Sequence, residues 1–563
     1  MFEEEVIKLL EKSGIKAAVD KLETPPQEEF GDLSFPCFEL AKTQRKNPME
    51  IANEVASKLK IPKDSIVQKI EVEGAYINFF FDYSKFSQHV LKQILNKKEN
   101  YGKGNEKQKI MIEYSGPNTN KPLHIGHLRN DSIGMSVSNI LEFSGNHVIR
   151  TNIINDRGVH ICKSMFAYQK WGAGRTPEKE NKKGDHFVGD FYVMSERELK
   201  EDPSLEEEIH KMLKKWEEGD KEVRKLWKKM NGWAIGGIKE TYKLFGSRFD
   251  LWPLESEFYD KAKPVIEEGL RKGIIFKNGD GDVVAKLEPE LPNKVVVRSD
   301  GTTVYITNDI ALTKHRFEKY NIDKCIWVVA TEQNLHFKQL FKIFELLGYK
   351  WARNCYHLGY GLVNLPSGRM KTREGNVVDA DNLIEEETEL AKQEILMRDK
   401  KISKKELEER ARKIALAAIK YYLLNVEPIK DVLFDPNKAI SFEGNTGPYI
   451  QYAYTRCSSI LNKAKKWKNV FIESLNDEEK KLVKLLSNFP KVAQQTAKDL
   501  KPNYICNYSY ELATTFNNFY EKHRVINAET KELKNFRLTL VKTTQGILGK
   551  CLELMGIKPV EKM

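Results

Sequence analysis

The fold turns on the stretch Glu113-Tyr114-Ser115-Gly116-Pro117-Asn118-Thr119-Asn120-Lys121-Pro122-Leu123-His124-Ile125-Gly126-His127. It follows a short apolar strand, Ile110 to Glu113. It precedes a helix that is apolar at Leu128, Met135, Ile140 and Leu141 and is predicted to stop at Gly145. Val148 to Ile153 then reads as a second strand. Strand, helix and strand in so short a span make a βαβ unit, and that implies a parallel sheet. In an open α/β sheet, ligands bind at this kind of strand-to-helix turn, and the helix N-terminus offers unpaired N–H groups to an anion. Gly126 lets a nucleotide come close to the backbone. His124 and His127 can point the same way and donate to phosphate oxygens as charge builds during attack at phosphorus. The plainer alternative for the two histidines is a helix cap or a metal site.

Working outward, the texture from about Trp171 to Trp233 is dense in Lys and Glu with interspersed tryptophans, and reads as a mostly helical insertion with a solvated face. Val295–Arg298, Asp300-Gly301 and Thr302–Thr307 predict a hairpin turned by Asp-Gly. Cys325–Ala330 reads as a buried strand, followed by a helix bearing Leu335, Leu340, Phe341, Phe344 and Leu347. Residues 108–380 are therefore expected to form a nucleotide-binding α/β domain, with about 165–240 inserted. Residues 1–100 read as a small separate α+β module. It has an amphipathic helix carrying Val6, Leu9 and Leu10, a strand at Ala75–Phe79, and a helix through Phe86, Val90, Leu91 and Ile94. The polar run Lys97–Lys107 reads as a linker. Beyond Asp379 strand signals nearly vanish. Helical periodicity predicts a connector at 381–424 and an all-α domain at 425–563.

Composition agrees with this layout. The 563 residues predict about three or four domains. No run of eighteen apolar residues suggests a membrane span, and the acidic start Met1-Phe2-Glu3-Glu4-Glu5 lacks a signal-peptide pattern. Seven scattered cysteines, none in CxxC spacing, argue against a disulfide framework or a cysteine zinc site and fit a reducing cytoplasm. The 92 Lys and Arg against 81 Asp and Glu give a net charge of +11. That permits a nucleic-acid partner without demanding one.

His124-Ile125-Gly126-His127 resembles the HIGH signature of class I aminoacyl-tRNA synthetases. The preceding Ser-x-Pro-Asn-x-x-Lys-Pro resembles the arginyl-tRNA synthetase family in particular. The likeness continues at Leu128-Arg129, Asn155-Asp156-x-Gly158, Tyr305-x-Thr307-x-Asp309 and Gln333-x-x-His336. It ends with Phe442–Gln451-Tyr452 and the terminal Met563. The class's second signature, Lys-Met-Ser-Lys-Ser, is replaced by Gly368-Arg369-Met370-Lys371-Thr372-Arg373-Glu374-Gly375-Asn376, a degenerate form. Lysine and arginine on a glycine-flanked loop suit a breaking triphosphate.

The resemblance implies an α/β fold: a Rossmann-type catalytic domain with a helical insertion, a small N-terminal α+β domain and an all-α C-terminal anticodon-binding domain of the DALR type. It implies ATP-dependent activation of arginine, then transfer to tRNA(Arg), with activation dependent on bound tRNA. His124, His127, Lys121, Lys371 and Arg373 are the implied catalytic residues, with Lys121 supplying the charge of the missing signature lysine. Gly126, His124, His127, Gln333, His336, Met370 and Lys371 are expected at ATP. An arginine side chain is a planar cation and calls for carboxylates and an aromatic wall. Glu113, Ser115, Asn118, Tyr305, Asp309 and Gln333 are the candidates, with Glu255-Ser256 nearby. For Tyr305 the plainer alternative is a packed strand residue, and for Asp309 a first-turn carboxylate favoured by the helix dipole. Aromatics beside cations suit unstacked RNA bases, so Tyr449, Tyr452, Arg456, Tyr520, Arg524 and Met563 are expected to meet tRNA, while Phe516 and Phe519 are expected in the core. Magnesium is expected only with ATP, with no protein metal site, and the protein is expected to be a cytoplasmic monomer. Two rivals stand beside this reading: another HIGH-type synthetase or nucleotidyltransferase, and a synthetase-like RNA-binding protein without catalysis.

Overall fold

The computed structural model describes residues 2–259, 261–365, 368–369 and 378–563. The chain forms two compact units. One joins residues 1–101 to 457–488 and 514–547, and the other comprises 102–456, 489–513 and 548–563.

The first unit begins with α1 (Phe2–Lys12), β1 (Leu33–Pro36), α2 (Phe38–Gln44), α3 (Pro48–Lys58), β2 (Val67–Glu73), β3 (Tyr76–Phe81) and α4 (Tyr83–Lys97). Its antiparallel sheet has the order β1-β3-β2. Ile77 and Phe79 alternate into the core with no exposure. Asn47 and Asp82 cap α3 and α4, each accepting backbone N–H bonds from the first turn. The run predicted as a linker is less loose than its polarity suggested, because α4 reaches Lys97 and Tyr101 is buried.

In the second unit, β4 (Lys109–Glu113), α5 (Ile125–Phe143) and β5 (His147–Thr151) form the expected βαβ unit. The helical insertion follows as α6 (Val159–Trp171), α7 (Gly184–Glu201), α8 (Leu205–Glu217) and α9 (Lys221–Phe245). Its own core contains Phe187, Phe191, Ile209 and Ala234. Next come α10 (Lys263–Arg271) and a small antiparallel sheet of β6 (Ile275–Lys277), β7 (Val283–Ala285) and β8 (Lys294–Val297). Then follow α11 (Tyr305–Tyr320), β9 (Lys324–Ala330), α12 (Asn334–Leu346) and β10 (Cys355–Tyr360). The central sheet is wholly parallel, in the order β10-β9-β4-β5. Its strands are buried on both faces, as a parallel sheet requires, with Met111, Ile112, Ile326 and Val328 shielded from solvent.

One sequence expectation needs correction. The hairpin turn at Asp300-Gly301 forms, with Arg298 and Thr302 paired, but no second strand extends to Thr307. Only Thr303 bridges back to Val297, and α11 starts at Tyr305. The cause is local: the Val304 N–H donates to Thr307 Oγ1 at 3.1 Å, which starts a helix where β-branched residues suggested a strand. Strands do nearly vanish beyond Asp379, where the described residues keep only the two-residue β13. β11 (Val363–Leu365) pairs with β12 (Gly368–Arg369) and, in parallel, with β13 (Val432–Leu433). Between these lie α13 (Ala380–Arg398) and α14 (Lys404–Leu424). The chain ends in α15 (Pro436–Ala439), α16 (Gly447–Ala464), α17 (Asp477–Asp499), α18 (Asn503–Lys522) and α19 (Lys531–Leu554). Among the described residues, no helix is long and apolar enough to cross a membrane.

Candidate active site

The turn from β4 into α5 is held by asparagines. Ser115 and Gly116 both adopt positive φ, 78° and 62°. For Ser115 this is a strained conformation that its surroundings must enforce. Asn130 Oδ1 accepts from the Ser115 N–H at 2.7 Å, and Asn152 Oδ1 accepts from the Gly116 N–H at 3.0 Å. Asn155 Nδ2 donates to the Gly116 carbonyl at 3.1 Å. Ser115 Oγ and the Tyr242 hydroxyl lie 2.6 Å apart. Tyr242 comes from the insertion, so the insertion helps fix this loop.

The two signature histidines do cap the helix. His124 is the N-cap of α5, and its Nδ1 accepts from the Gly126 N–H at 3.1 Å. His127 Nδ1 accepts from the His124 N–H at 3.2 Å, and the two rings lie 4.0 Å apart. An Nδ1 that accepts cannot carry the proton, so each neutral ring bears it on Nε2. Burial pushes His124 down to about 3, with Lys121 acting in the same direction and Asp379 against it. His127 is also held well below the usual range by burial and by His124. Both rings are therefore neutral near pH 7, each with one N–H to donate. Capping and phosphate recognition are compatible, because they use opposite nitrogens of the ring.

Glu113, Ser115, His124, Gly126, His127 and Gln333 line one cavity of about 630 Å³, at the carboxyl ends of β4 and β9. Asn118 stands beside it, bridged to Asn155 of the wall. Lys121, Tyr305, Asp309 and His336 do not line it. Burial lowers the Lys121 ammonium. Tyr305 is 70% exposed at the first position of α11, so it is not a packed strand residue. Asp309 Oδ2 lies 2.7 Å from His336 Nε2, which joins a residue expected at arginine to one expected at ATP. Met370, Lys371 and Arg373 lie outside the described residues.

Further residues organise this region, and of these sequence reasoning missed Arg316, whereas Glu255 and Arg129 were named without these partners. Arg316 on α11 is buried and paired with Glu113. Burial raises the Glu113 carboxyl, with Arg316 opposing. The available signal was spacing: Arg316 lies seven residues after Asp309, on the same helical face. Glu255, buried and raised to about 7 by that burial, accepts from Asn308 Nδ2 at 2.9 Å. Arg129, two residues after the signature, is buried and donates to four backbone carbonyls, those of Gly361, Leu362, Pro428 and Lys430. It thus pins α5 to the backbone that leads into β11.

Of the residues expected at tRNA, Tyr449, Tyr452, Arg456 and Met563 fall in the second unit, and Tyr520 and Arg524 in the first. The Arg456 guanidinium sits 4.7 Å from the centre of the Tyr452 ring, a cation–π contact. Tyr520 is 40% exposed, whereas Phe516 and Phe519 are fully buried, as expected.

A HIGH-type tetrapeptide at the first crossover of a parallel sheet, facing an open cavity, defines a class I aminoacyl-tRNA synthetase. The family model described as "tRNA synthetases class I (R), catalytic domain" matches residues 90–436. An arginyl tRNA synthetase N-terminal domain model matches residues 1–81, and a DALR anticodon binding domain model matches 450–563. The chain is 45% identical to an arginine–tRNA ligase of Treponema denticola, across 96% of this chain and 94% of that one. It is 39% identical to one from Parabacteroides distasonis, across 99% and 98%. The solved Thermus thermophilus arginyl-tRNA synthetase superposes with a TM-score of 0.84 at 27% identity, covering 100% of this chain and 99% of the other. The chain belongs to the arginyl-tRNA synthetase family. Its reaction is the ATP-driven activation of arginine and transfer of the arginyl group to tRNA(Arg).

Proposed function

We propose that the cavity at the β4–α5 turn is where arginyl-adenylate forms, and that the residues around it divide the work as follows. His124 and His127 donate Nε2–H bonds to the α-phosphate as the arginine carboxylate attacks it, while Gly126 lets the nucleotide approach the start of α5. Lys121 contributes positive charge from just upstream, and Lys371 and Arg373 neutralise departing pyrophosphate. Gln333, His336 and Met370 complete the ATP side. Glu113, Ser115, Asn118, Tyr305 and Asp309 form the arginine side, with Gln333 shared. No enzyme nucleophile takes part. The catalysis is one of positioning and of fixed donors where charge develops.

What carries this reading is the tautomer. Both histidines spend Nδ1 on the backbone, which leaves two neutral, pre-aimed donors at a helix N-terminus. Neutral donors suit the task, since they bind developing charge without first gripping ground-state ATP as strongly as a cation would.

Magnesium enters with the ATP phosphates. Asp185, His186 and Asp381 are the one group of metal-type ligands found among the described residues, and the Lys183 ammonium already lies on their carboxylates, so they do not fit a magnesium ion. Residues 1–100 serve as a tRNA-contacting domain, 108–380 as the catalytic domain, 381–424 as a helical connector and 425–563 as the anticodon-binding domain. Tyr449, Tyr452, Arg456, Tyr520, Arg524 and Met563 meet tRNA. The enzyme works as a cytoplasmic monomer.

The direct test is ATP–pyrophosphate exchange with each amino acid, with and without tRNA(Arg). Exchange that requires arginine and is strongly stimulated by tRNA supports the assignment. Exchange with a different amino acid, or none under any condition, refutes it.

A further inference from the structure

The insertion has a contact that the reaction does not by itself call for. Residues 378–380, which open α13, pair antiparallel with the segment entering α5. The Ile125 N–H donates to the Val378 carbonyl at 3.1 Å, and the Ala380 N–H donates to the Leu123 carbonyl at 3.0 Å, so His124 faces Asp379 across a two-bond ladder. The Asp379 carboxylate caps α13, accepting from the Asp381 and Asn382 N–H groups at 2.9 and 3.0 Å. Its other oxygen lies 3.2 Å from His186 Nε2. His186 also lies 3.4 Å from Asp381, whose carboxylate accepts from Lys183 Nζ at 2.5 Å and from the Thr241 hydroxyl at 2.9 Å.

Lys183 and His186 stand at the start of α7 and Thr241 on α9, so both cations and the hydroxyl come from the insertion. Close backbone packing fixes α7 there. A Cβ on Gly184 would fall 2.1 Å from the Trp233 carbonyl oxygen, and one on Gly237 would fall 2.3 Å from Asp185. A Cβ on Gly189 would lie 3.0 Å from Pro122, two residues before the signature, so α7 also abuts the other side of the ladder.

We propose that His186 and Lys183 are positioning residues for the signature histidine His124: through Asp379 and Asp381 they hold the short backbone ladder on which it sits. This deepens, and rests on, the assignment of His124 and His127 to the reacting phosphate. Charge supports it. Asp379 and Asp381 raise His186 to about 10 against the effect of burial, with Asp185 assisting, so the ring is a cation at neutral pH. Burial acts to raise Asp381, but His186 and Lys183 outweigh it and hold the carboxyl at about 2. Asp185, fully buried beside Lys183 at 3.1 Å, is the third carboxylate facing the two cations. The cluster is thus an internal salt-bridge network that spans the insertion and the ladder. Such a network holds geometry when complete and leaves buried charge exposed to repulsion when one member is lost.

The test uses the full-length enzyme with tRNA(Arg), comparing His186→Ala, His186→Asn and His186→Arg. A small misplacement of a reacting group costs up to about a hundred-fold in rate. His186→Ala and His186→Asn are therefore expected to lower kcat for arginyl-tRNA formation about ten- to a hundred-fold. KM for ATP and arginine should stay within about twofold, and His186→Arg should recover most of kcat. The double variant His124→Ala/His186→Ala should be no slower than His124→Ala alone, because residues acting through one group are not additive. A His186→Ala enzyme with wild-type kcat, a fully active His186→Asn, or a double variant showing the product of the two losses would each overturn the proposal. If His124→Ala itself turned over normally, the phosphate assignment beneath it would fall instead. Restoration of activity by added zinc with loss on chelation would make the cluster a metal site and overturn the proposal as well.

Discussion

Two helices of the catalytic unit, α5 and α11, begin with the same backbone device and end up in opposite environments. In each, the residue at the third helical position accepts the N–H of the N-cap residue: His127 from His124, and Thr307 from Val304. At α5 the capping histidines also line the cavity. Their side chains are half-buried at the cavity wall, neutral, and tied to the backbone on one nitrogen each. At α11 the cap only starts the helix. The residues expected to bind arginine follow it, with Tyr305 mostly exposed and the Asp309 carboxylate beside His336. On the proposed reading, the α5 side is a preorganised array for charge that forms in the transition state. On the same reading, the α11 side meets a ground-state cation, with Asp309 exchanging His336 for a guanidinium. If that contrast is right, damage at α5 should appear in turnover and damage at the start of α11 in arginine affinity.

The sharpest probe of the contrast is a residue that makes part of α11 rigid. Arg316, two turns beyond Asp309, is buried against Glu113 of β4. Arg316→Met is expected to destabilise the fold by about 3–5 kcal/mol, because it strands a buried carboxylate without its partner. Urea or thermal unfolding measures this. A variant as stable as wild type would mean that the pair contributes little and that α11 is loose along its whole length.

Next in size is turnover. His124→Ala and His127→Ala should each lower kcat by about 10²–10³, the usual cost of losing one fixed donor at developing charge, with tRNA affinity nearly unchanged. Single-turnover arginylation with saturating ATP isolates the step. Turnover at the wild-type level in both would break the comparison at its α5 end.

Asp309→Asn tests the other end. The amide keeps the shape and loses the charge. A charged hydrogen bond contributes about 1.5–3 kcal/mol, so KM for arginine should rise about ten- to a hundred-fold while KM for ATP holds. Inhibition by citrulline, the neutral analogue, should strengthen relative to arginine binding. An unchanged KM together with a lowered melting temperature would return Asp309 to a purely structural role and move the arginine pocket towards Glu113 and Glu255.

The comparison also explains what the sequence made legible. The α5 site is local: strand, loop, cap and helix are consecutive, so fifteen residues were enough to place the cavity. The helical insertion was legible as texture. The start of α11 was misread as a strand, since β-branched residues around Val304 mask a cap that works through Thr307 Oγ1. The partners of the site residues were invisible, because they are distant in sequence. Arg316 meets Glu113 across 203 positions, and Asn130, Asn152 and Tyr242 reach the β4–α5 loop from three other elements. No periodicity encodes such pairings. They appear only once α5, β5, α9 and α11 have packed.

The smallest expected effect concerns pH, and it tests the neutrality on which the α5 end depends. His124 has an ordinary value of 6.5 and is held at about 3 in the fold, chiefly by burial. Above pH 6.5 the ring is neutral both folded and unfolded, so it imposes no penalty. Between 6.5 and about 3 the unfolded chain binds a proton that the folded chain does not, so stability rises with pH and falls as the solution is acidified. The loss approaches about 1.4 kcal/mol per pH unit below 6.5 and amounts to about 1.4 kcal/mol at pH 5.5. His124→Asn removes the titrating ring while keeping a good N-cap acceptor. His186, raised to about 10, has the opposite sign: its stabilisation is complete below 6.5 and is lost as pH rises through 10. It is common to both proteins and cancels in their difference. Urea midpoints of wild type and His124→Asn at pH 7.5 and 5.5 should therefore converge on acidification, with wild type losing about 1.4 kcal/mol more than the variant. Parallel losses would show that His124 is protonated in the folded enzyme at pH 5.5. The donor at the phosphate would then be an imidazolium, and the difference between the two helix entrances would be one of place rather than of charge.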